Sequence, residues 1–324
     1  DELEQLARLG WLAGDQAAER GAILTLERAW WLRRARRHPE ALAALRRVEA
    51  GLPASGVRLP MHLAEAQKEL AKSLLWPDRD DKAVPSPEAE MLLDKATLVL
   101  TDDANSWNSL GVARSLNYHW EQAVIAYQQA IVLSPKWAAP HYNLGNLYRL
   151  QYRYEEALSA FQRAIELDPH NALQYNDLGI IYILQAHYDE AIAAFQRAVE
   201  LDPNYVVPLN NIASVYRTQF RYEEAIAILK RAIALAPKYA IALSNLGCIY
   251  RDQSRYEEAV AAFQQAIEVN PKLSGGHNDI AFTYLIQFKF DIAIQHYHQH
   301  INLEPDDTFM AYLDLGIIAR HCGD

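Results

Sequence analysis

From Ala104 onward, apolar and polar positions alternate between two amphipathic stretches. Leu144, Leu147, Tyr148 and Gln151 mark one stripe, and Ala157, Leu158, Phe161, Ala164 and Ile165 mark the next. Spacings of three and four are those of one helix face, not of a half-buried strand. The pattern returns every 34 residues. Pro135, Pro169, Pro203, Pro237, Pro271 and Pro305 keep that interval, as do Ala123, Ala157, Ala191, Ala225, Ala259 and Ala293. Gly111, Gly145, Gly179, Ala213, Gly247 and Ala281 form a third series, and Ala130, Ala164, Ala198, Ala232 and Ala266 a fourth, broken at His300. Tyr127, Phe161, Phe195, Leu229, Phe263 and Tyr297 keep step as the bulky positions.

Each unit therefore reads as two helices. A glycine or alanine lets the paired helices approach, and the large residue fills the space beside it. Proline after the second helix stops it, because it lacks an amide and restricts the residue before it. Six such units fill 104–307 without an insertion. The frame extends backward over 1–103 in degenerate form. Residues 22–55 fit one unit through Ala29, Ala41, Leu45 and Pro53, with Ala7, Trp11 and Gly14 matching an earlier second helix. Residues 56–103 fit another unit lengthened by 14 residues, with Ala89, Leu93 and Ala96 on its second helix. The polar, proline-rich stretch near 77–88 is the expected loop insertion. At the other end, 308–324 fits a further first helix through Tyr312, Leu315, Gly316 and Ala319, with Gly323 at the turn. Two readings stand for that helix: a natural cap, or the start of a unit in a longer array.

Tyr175, Leu178, Gly179, Tyr182, Ala191, Phe195 and Pro203 follow the pattern W-x2-L-G-x2-Y…A-x3-F…P. The chain thus resembles the tetratricopeptide repeat family. The resemblance implies an all-α fold, a right-handed α-solenoid or superhelix of stacked antiparallel helix pairs. Family members often place glycine at the turn between the two helices. Here that place holds Tyr118, Tyr152, Ala186, Phe220, Ser254 and Phe288. If the turn needs a positive φ, these residues are strained there. Otherwise the turn differs in detail, or its side chains pack.

Stacked helix pairs leave a concave face lined mostly by first helices. In the family this groove commonly holds an extended peptide or a partner helix. The fifth and sixth places of the units supply Asn108, Asn143, Asn176, Asp177, Asn210, Asn211, Asn245, Asn278 and Asp279, and Asn146 lies nearby. An amide donates and accepts at once, so a row of them can hold a peptide backbone without reading its side chains. The row is similar to the asparagine ladder in the repeats of O-linked N-acetylglucosamine transferases, without any transferase domain. The alternative is that the amides satisfy backbone carbonyls between units. Arg149, Arg217 and Arg251 occupy the twelfth place, and Arg153, Arg221 and Arg255 follow one turn later. Either they compensate helix ends and pair with glutamates, or the Arg149/Arg217/Arg251 row reads acidic or phosphorylated residues on the peptide.

Composition narrows the function. The chain has 324 residues and a net charge of −10, against a nucleic-acid or anionic-membrane binder. Charge is uneven: residues 1–60 carry ten arginines against eight acids, and Arg33–Arg37 is the basic run, read as the wet face of a helix. Cys248 and Cys322 exclude a disulfide scaffold and fit a cytoplasmic protein. No apolar stretch approaches the roughly 20 residues that span a bilayer. Paired acids such as Glu155/Glu156 and Glu257/Glu258 open second helices, where they complement the helix dipole. His296, His298 and His300 are the densest histidine cluster, but no further ligand lies near them in sequence. No nucleophile motif or phosphate loop occurs. No catalytic residue, metal or cofactor is expected. The expected role is a non-catalytic protein–protein interaction scaffold or adaptor that binds a protein or peptide, with terminal repeats available for self-association. The rival is a sensor or regulatory arm of a larger signalling protein, such as a nucleotide-driven switch or caspase-like protease.

Overall fold

A computed structural model describes residues 14–50, 58–76, 83–271, 275–303 and 308–322. Ala7, Trp11, Pro53, Pro305 and Gly323, and residues 77–82 of the expected insertion, lie outside the described residues. Seventeen α-helices and no strand occur among the described residues. The chain divides into two compact units, Asp1–Pro169 and His170–Asp324. In the first, α1 (Gly14–Arg34) pairs with α2 (His38–Ala50), α3 (Arg58–Leu75) with α4 (Pro87–Thr97), α5 (Ala104–Leu116) with α6 (Trp120–Leu133), and α7 (Ala138–Leu150) with α8 (Tyr154–Leu167). In the second, α9 (Ala172–Leu184) pairs with α10 (Tyr188–Leu201), α11 (Val206–Thr218) with α12 (Tyr222–Leu235), α13 (Ala240–Asp252) with α14 (Tyr256–Val269), and α15 (Gly275–Leu285) with α16 (Phe290–Leu303), while α17 (Phe309–Cys322) follows alone. Within each unit a second helix packs on the next first helix, and first helices also touch one another. Each unit is thus a stack of helix pairs, an all-α solenoid.

Four glycines set the distance within the pairs. A Cβ at Gly111 would lie 2.5 Å from the Tyr127 ring, at Gly145 3.0 Å from Phe161, at Gly179 2.6 Å from Phe195, and at Gly247 2.7 Å from Phe263. The bulky partners are buried and belong to the apolar core of their units. Where alanine replaces the glycine, at Ala213, the bulky place holds the shorter Leu229. Ala281 departs from that exchange and keeps Tyr297, whose hydroxyl donates to Asp314 Oδ2 at 2.6 Å.

The turns within pairs are uniform. Tyr118, Tyr152, Ala186, Phe220, Ser254 and Phe288 all have φ between 59° and 65°. The turn therefore keeps the left-handed conformation that glycine would adopt without strain, and bulky residues occupy it. Two amides close each turn: Tyr152 N–H bonds the Arg149 carbonyl and Arg153 N–H the Tyr148 carbonyl, and the other turns repeat this 5→2, 6→1 pattern. Arg36, between α1 and α2, has φ 57° and the same two bonds. The arginine run is thus the end of α1 and its turn rather than one wet helix face. Arg33 meets Glu69 at 3.4 Å, and Arg34 lies over the Trp30 ring at 4.7 Å.

Second helices begin with acids in the first turn, Glu155 and Glu156 in α8 for example. The residue before them is held twice. Arg153 bonds Glu156 at 2.8 Å and stacks on Tyr148 at 4.4 Å; Arg221 bonds Glu224 at 3.0 Å and stacks on Tyr216 at 4.3 Å. Arg255 repeats this with Glu258 and Tyr250. Helix α4 opens at Pro87, inside the stretch expected to be loop, because the Ser86 hydroxyl caps it by accepting from Ala89 N–H at 3.1 Å.

Candidate peptide-binding face

The sequence-selected amides lie on first helices, and the contacts between neighbouring helices order them. In the first unit Asn143 on α7 donates to Asn108 Oδ1 on α5 at 3.0 Å. In the second, Asn211 on α11 donates to Asn176 Oδ1 on α9 at 3.0 Å, and Asn245 on α13 donates to Asn210 Oδ1 on α11 at 2.6 Å. Each bond joins residues 35 apart, one repeat plus one place. The sixth-place amide therefore reaches the fifth-place amide of the preceding unit. Asn176 and Asn210 are buried, while Asn143, Asn211 and Asn245 are half-buried. Each of these three uses one N–H on its neighbour. Its Oδ1 has no partner among the described residues, so an acceptor remains on an amide already fixed in orientation.

The remaining predicted residues divide. Asn146 donates to the Tyr142 carbonyl at 3.4 Å and accepts from Arg149 at 3.3 Å. Asn176 also donates to Asp177 Oδ1 at 3.2 Å. Arg217 is forked onto Asp252, at 2.5 and 3.2 Å, and Arg251 bonds Asp279 at 3.0 Å. Arg149 has no carboxylate partner among the described residues, and its buried Nε has no hydrogen bond. The Asn278 Oδ1 is likewise buried without a partner. The twelfth-place arginines are thus not an equal row: two already hold carboxylates.

Sequence reasoning missed Asp252, Phe282 and the surroundings of Cys248. Arg251 lies over Phe282 at 5.1 Å and donates to Cys248 Sγ at 3.6 Å. Burial pushes the Cys248 thiol up to about 11, so it stays protonated at neutral pH and is a poor nucleophile. Burial also raises the Asp279 carboxyl, against the opposing pull of Arg251. A signal for Asp252 existed: it stands 35 residues after Arg217, the interval of the asparagine bonds.

The histidine cluster resolves into a pair. His296 Nδ1 faces His277 Nδ1 at 3.2 Å, His300 is buried, and His298 is exposed. Burial lowers the pKa of both paired rings. Among the described residues no three His, Cys, Asp or Glu side chains converge closely enough to hold a metal ion. None of the described helices is long and apolar enough to cross a membrane.

Residues 137–204 and 204–272 match a family model described as tetratricopeptide repeat, and residues 119–151 match a second described as TPR repeat. No curated protein matches the sequence. Among solved structures the chain is similar to yeast Tom70, with TM-score 0.58 and 17% identity over 88% of this chain and 60% of that one. It is similar to the Cut9–Hcn1 structure of the APC/C, with TM-score 0.57 and 18% identity over 87% of this chain and 52% of that one. PilF of Pseudomonas aeruginosa gives TM-score 0.54 and 17% identity over 66% of this chain and 96% of that one. The chain spans less than two thirds of the first two, and at these identities the likeness is one of fold. Helix pairs of constant length, glycines set against aromatic rings, a fixed left-handed turn and the family matches agree: residues 119–272 are an array of tetratricopeptide repeats.

Proposed function

We propose that the chain is a non-catalytic protein-interaction scaffold that holds an extended segment of a protein partner along the first helices within a unit. The observation that carries this is made within each unit: Asn143 in the first, and Asn211 and Asn245 in the second, are each fixed by a bond to a neighbouring amide and each keep a carbonyl acceptor. A peptide backbone offers N–H groups at regular intervals, and side-chain amides accept from them whatever the peptide sequence. Because orientation is set before binding, less freedom is lost on association. A preference for acid on the partner is centred on Arg149, since Arg217 and Arg251 are engaged by Asp252 and Asp279. Partners captured on the immobilised chain, identified by mass spectrometry and re-tested with Asn143, Asn211 and Asn245 changed to alanine, provide the test. Loss of the same partners, with an unchanged helical spectrum, is expected. Full retention places the contact on another face. Arg149→Ala is expected to weaken acidic or phosphorylated segments and to flatten the salt dependence of their binding.

A further inference from the structure

The left-handed turn carries aromatic rings that folding does not explain. Tyr118, Tyr152, Phe220 and Phe288 sit at φ of 59° to 65°, and their side chains are 74 to 80% exposed. A bulky residue there is strained. What the ring gains within the chain is a contact with the ring two places on, tilted for Tyr118 with Trp120 and edge-on for Tyr152 with Tyr154, both at 6.3 Å between centroids. Glycine or asparagine would serve the turn better. Strain kept at an exposed aromatic marks a contact surface.

In the first unit two such turns fall on consecutive repeats. Tyr118 and Tyr152, with Trp120 and Leu150, bound a cleft of about 600 Å³ at the ends of α5 and α7. In the second unit Ala186 and Ser254 alternate with the rings, so no two ledges are adjacent. The charges around the cleft are largely matched from within: Arg153 holds Glu156 at 2.8 Å, and His119 bonds Glu90 at 2.8 Å. Glu121 is a lining charge without an ion pair among the described residues. Hydrogen-bond donors are not matched. The hydroxyls of the exposed Tyr118 and Tyr152 have no partner among the described residues. Flat rings, near-neutral charge and spare donors suit an extended, uncharged segment rich in carbonyls. A polyproline II segment has no internal hydrogen bonds and advances about 9 Å per three-residue turn. First helices α5 and α7 touch, so the two ledges belong to adjoining repeats.

We infer that the cleft between Tyr118 and Tyr152 docks a proline-rich partner segment in the polyproline II conformation. This surface lies at the helix ends and is separate from the amide row. Decaproline, with a glycine–serine decapeptide as control, is titrated calorimetrically into the full chain. Decaproline binds and the control does not. Tyr118→Gly with Tyr152→Gly weakens binding about tenfold or more while the melting temperature holds or rises, because glycine fits the turn without strain. If the glycine pair fails to fold, Tyr152→Asn, also tolerated at positive φ, takes its place. Asn143→Ala leaves decaproline affinity unchanged. Absence of binding at millimolar peptide, an equal response to the control, or unchanged affinity in the ring-less variants overturns the inference. Loss of decaproline binding in Asn143→Ala overturns it too, moving the peptide to the amide row.

Discussion

Gly179 and Ala186 stand seven residues apart on one helix and its turn, and opposite constraints act on them. At Gly179 space decides: a Cβ would lie 2.6 Å from the buried Phe195 ring. Gly179→Ala should destabilise the chain by about 1–3 kcal/mol, since the ring cannot move without displacing the next helix. At Ala186 conformation decides. Its φ is 60°, its side chain is exposed, and no neighbour repays the strain. Ala186→Gly should stabilise by about 0.5–1 kcal/mol, the left-handed penalty less the extra entropy of glycine when unfolded. Urea denaturation of the two variants checks both signs, and a shared sign rejects the distinction. Of these two positions the sequence revealed one fully. A small residue recurring beside a recurring large one declares a close approach. The turn place was found by its period, but tyrosine and phenylalanine there pointed away from the φ that the backbone adopts.

At the scale of the helix, repeats are joined by contacts one place out of register. Asn143 with Asn108, Asn245 with Asn210, and Arg217 with Asp252 all lie 35 residues apart, as do Lys68 and Asp103 in the first unit. The period legible in the chain is 34, and it relates equivalent places, whereas adjacent first helices are offset so that facing residues are not equivalent. This is why the asparagines were found, but not which of them bond to one another, nor Asp252. The Arg217–Asp252 pair is partly exposed, so a double-mutant cycle with alanines should give a coupling of only about 0.5–1 kcal/mol that shrinks in salt. Zero coupling at low salt would make the fork incidental. Between α15 and α16 a different contact governs pH response. The His277–His296 bond needs one Nδ1 protonated and the other bare. Burial, the first cause, lowers both pKa values, with His300 adding to the effect at His277. A lowered histidine pKa means that the unfolded chain takes up protons first. Its stabilising contribution is therefore complete above the ordinary value of about 6.5 and declines as pH falls below it. His38 and His141, also lowered by burial, act with the same sign in the first unit. Melting temperature should fall from about pH 7 to about pH 5, and His296→Gln should flatten that fall. An unchanged slope in the variant would remove the pair from the account.

Across the molecule, stability is distributed pair by pair, because each helix pair meets only its neighbours within its unit. Exposed apolar surface is correspondingly local to single helices, and α17 carries a long stretch of it. Helix α17 buries Ala311, Asp314 and Ile318, and Tyr297 of α16 bonds Asp314. Its other face carries Phe309, Met310, Tyr312, Leu313 and Ile317, all exposed. Single exposed apolar side chains are ordinary, but a run of them along one helix is a surface that association covers. The occupant expected here is a second copy presenting the same face, since a two-fold contact needs only a self-complementary apolar strip. Sedimentation velocity between about 1 and 100 μM should show a concentration-dependent shift, a weak pair in the micromolar range. Leu313→Glu with Ile317→Glu should hold the chain monomeric at all those concentrations without altering its helical spectrum, because neither side chain is buried. A wild-type chain that stays monomeric throughout rejects the pairing. One that associates equally in the variant moves the contact elsewhere, to the exposed rings of the turns or to the tryptophans of α1. The same variant should leave Asn143, Asn211, Asn245 and the Tyr118/Tyr152 cleft untouched, since α17 carries none of them. Peptide capture and self-association are then separable properties of one array, set by different helices.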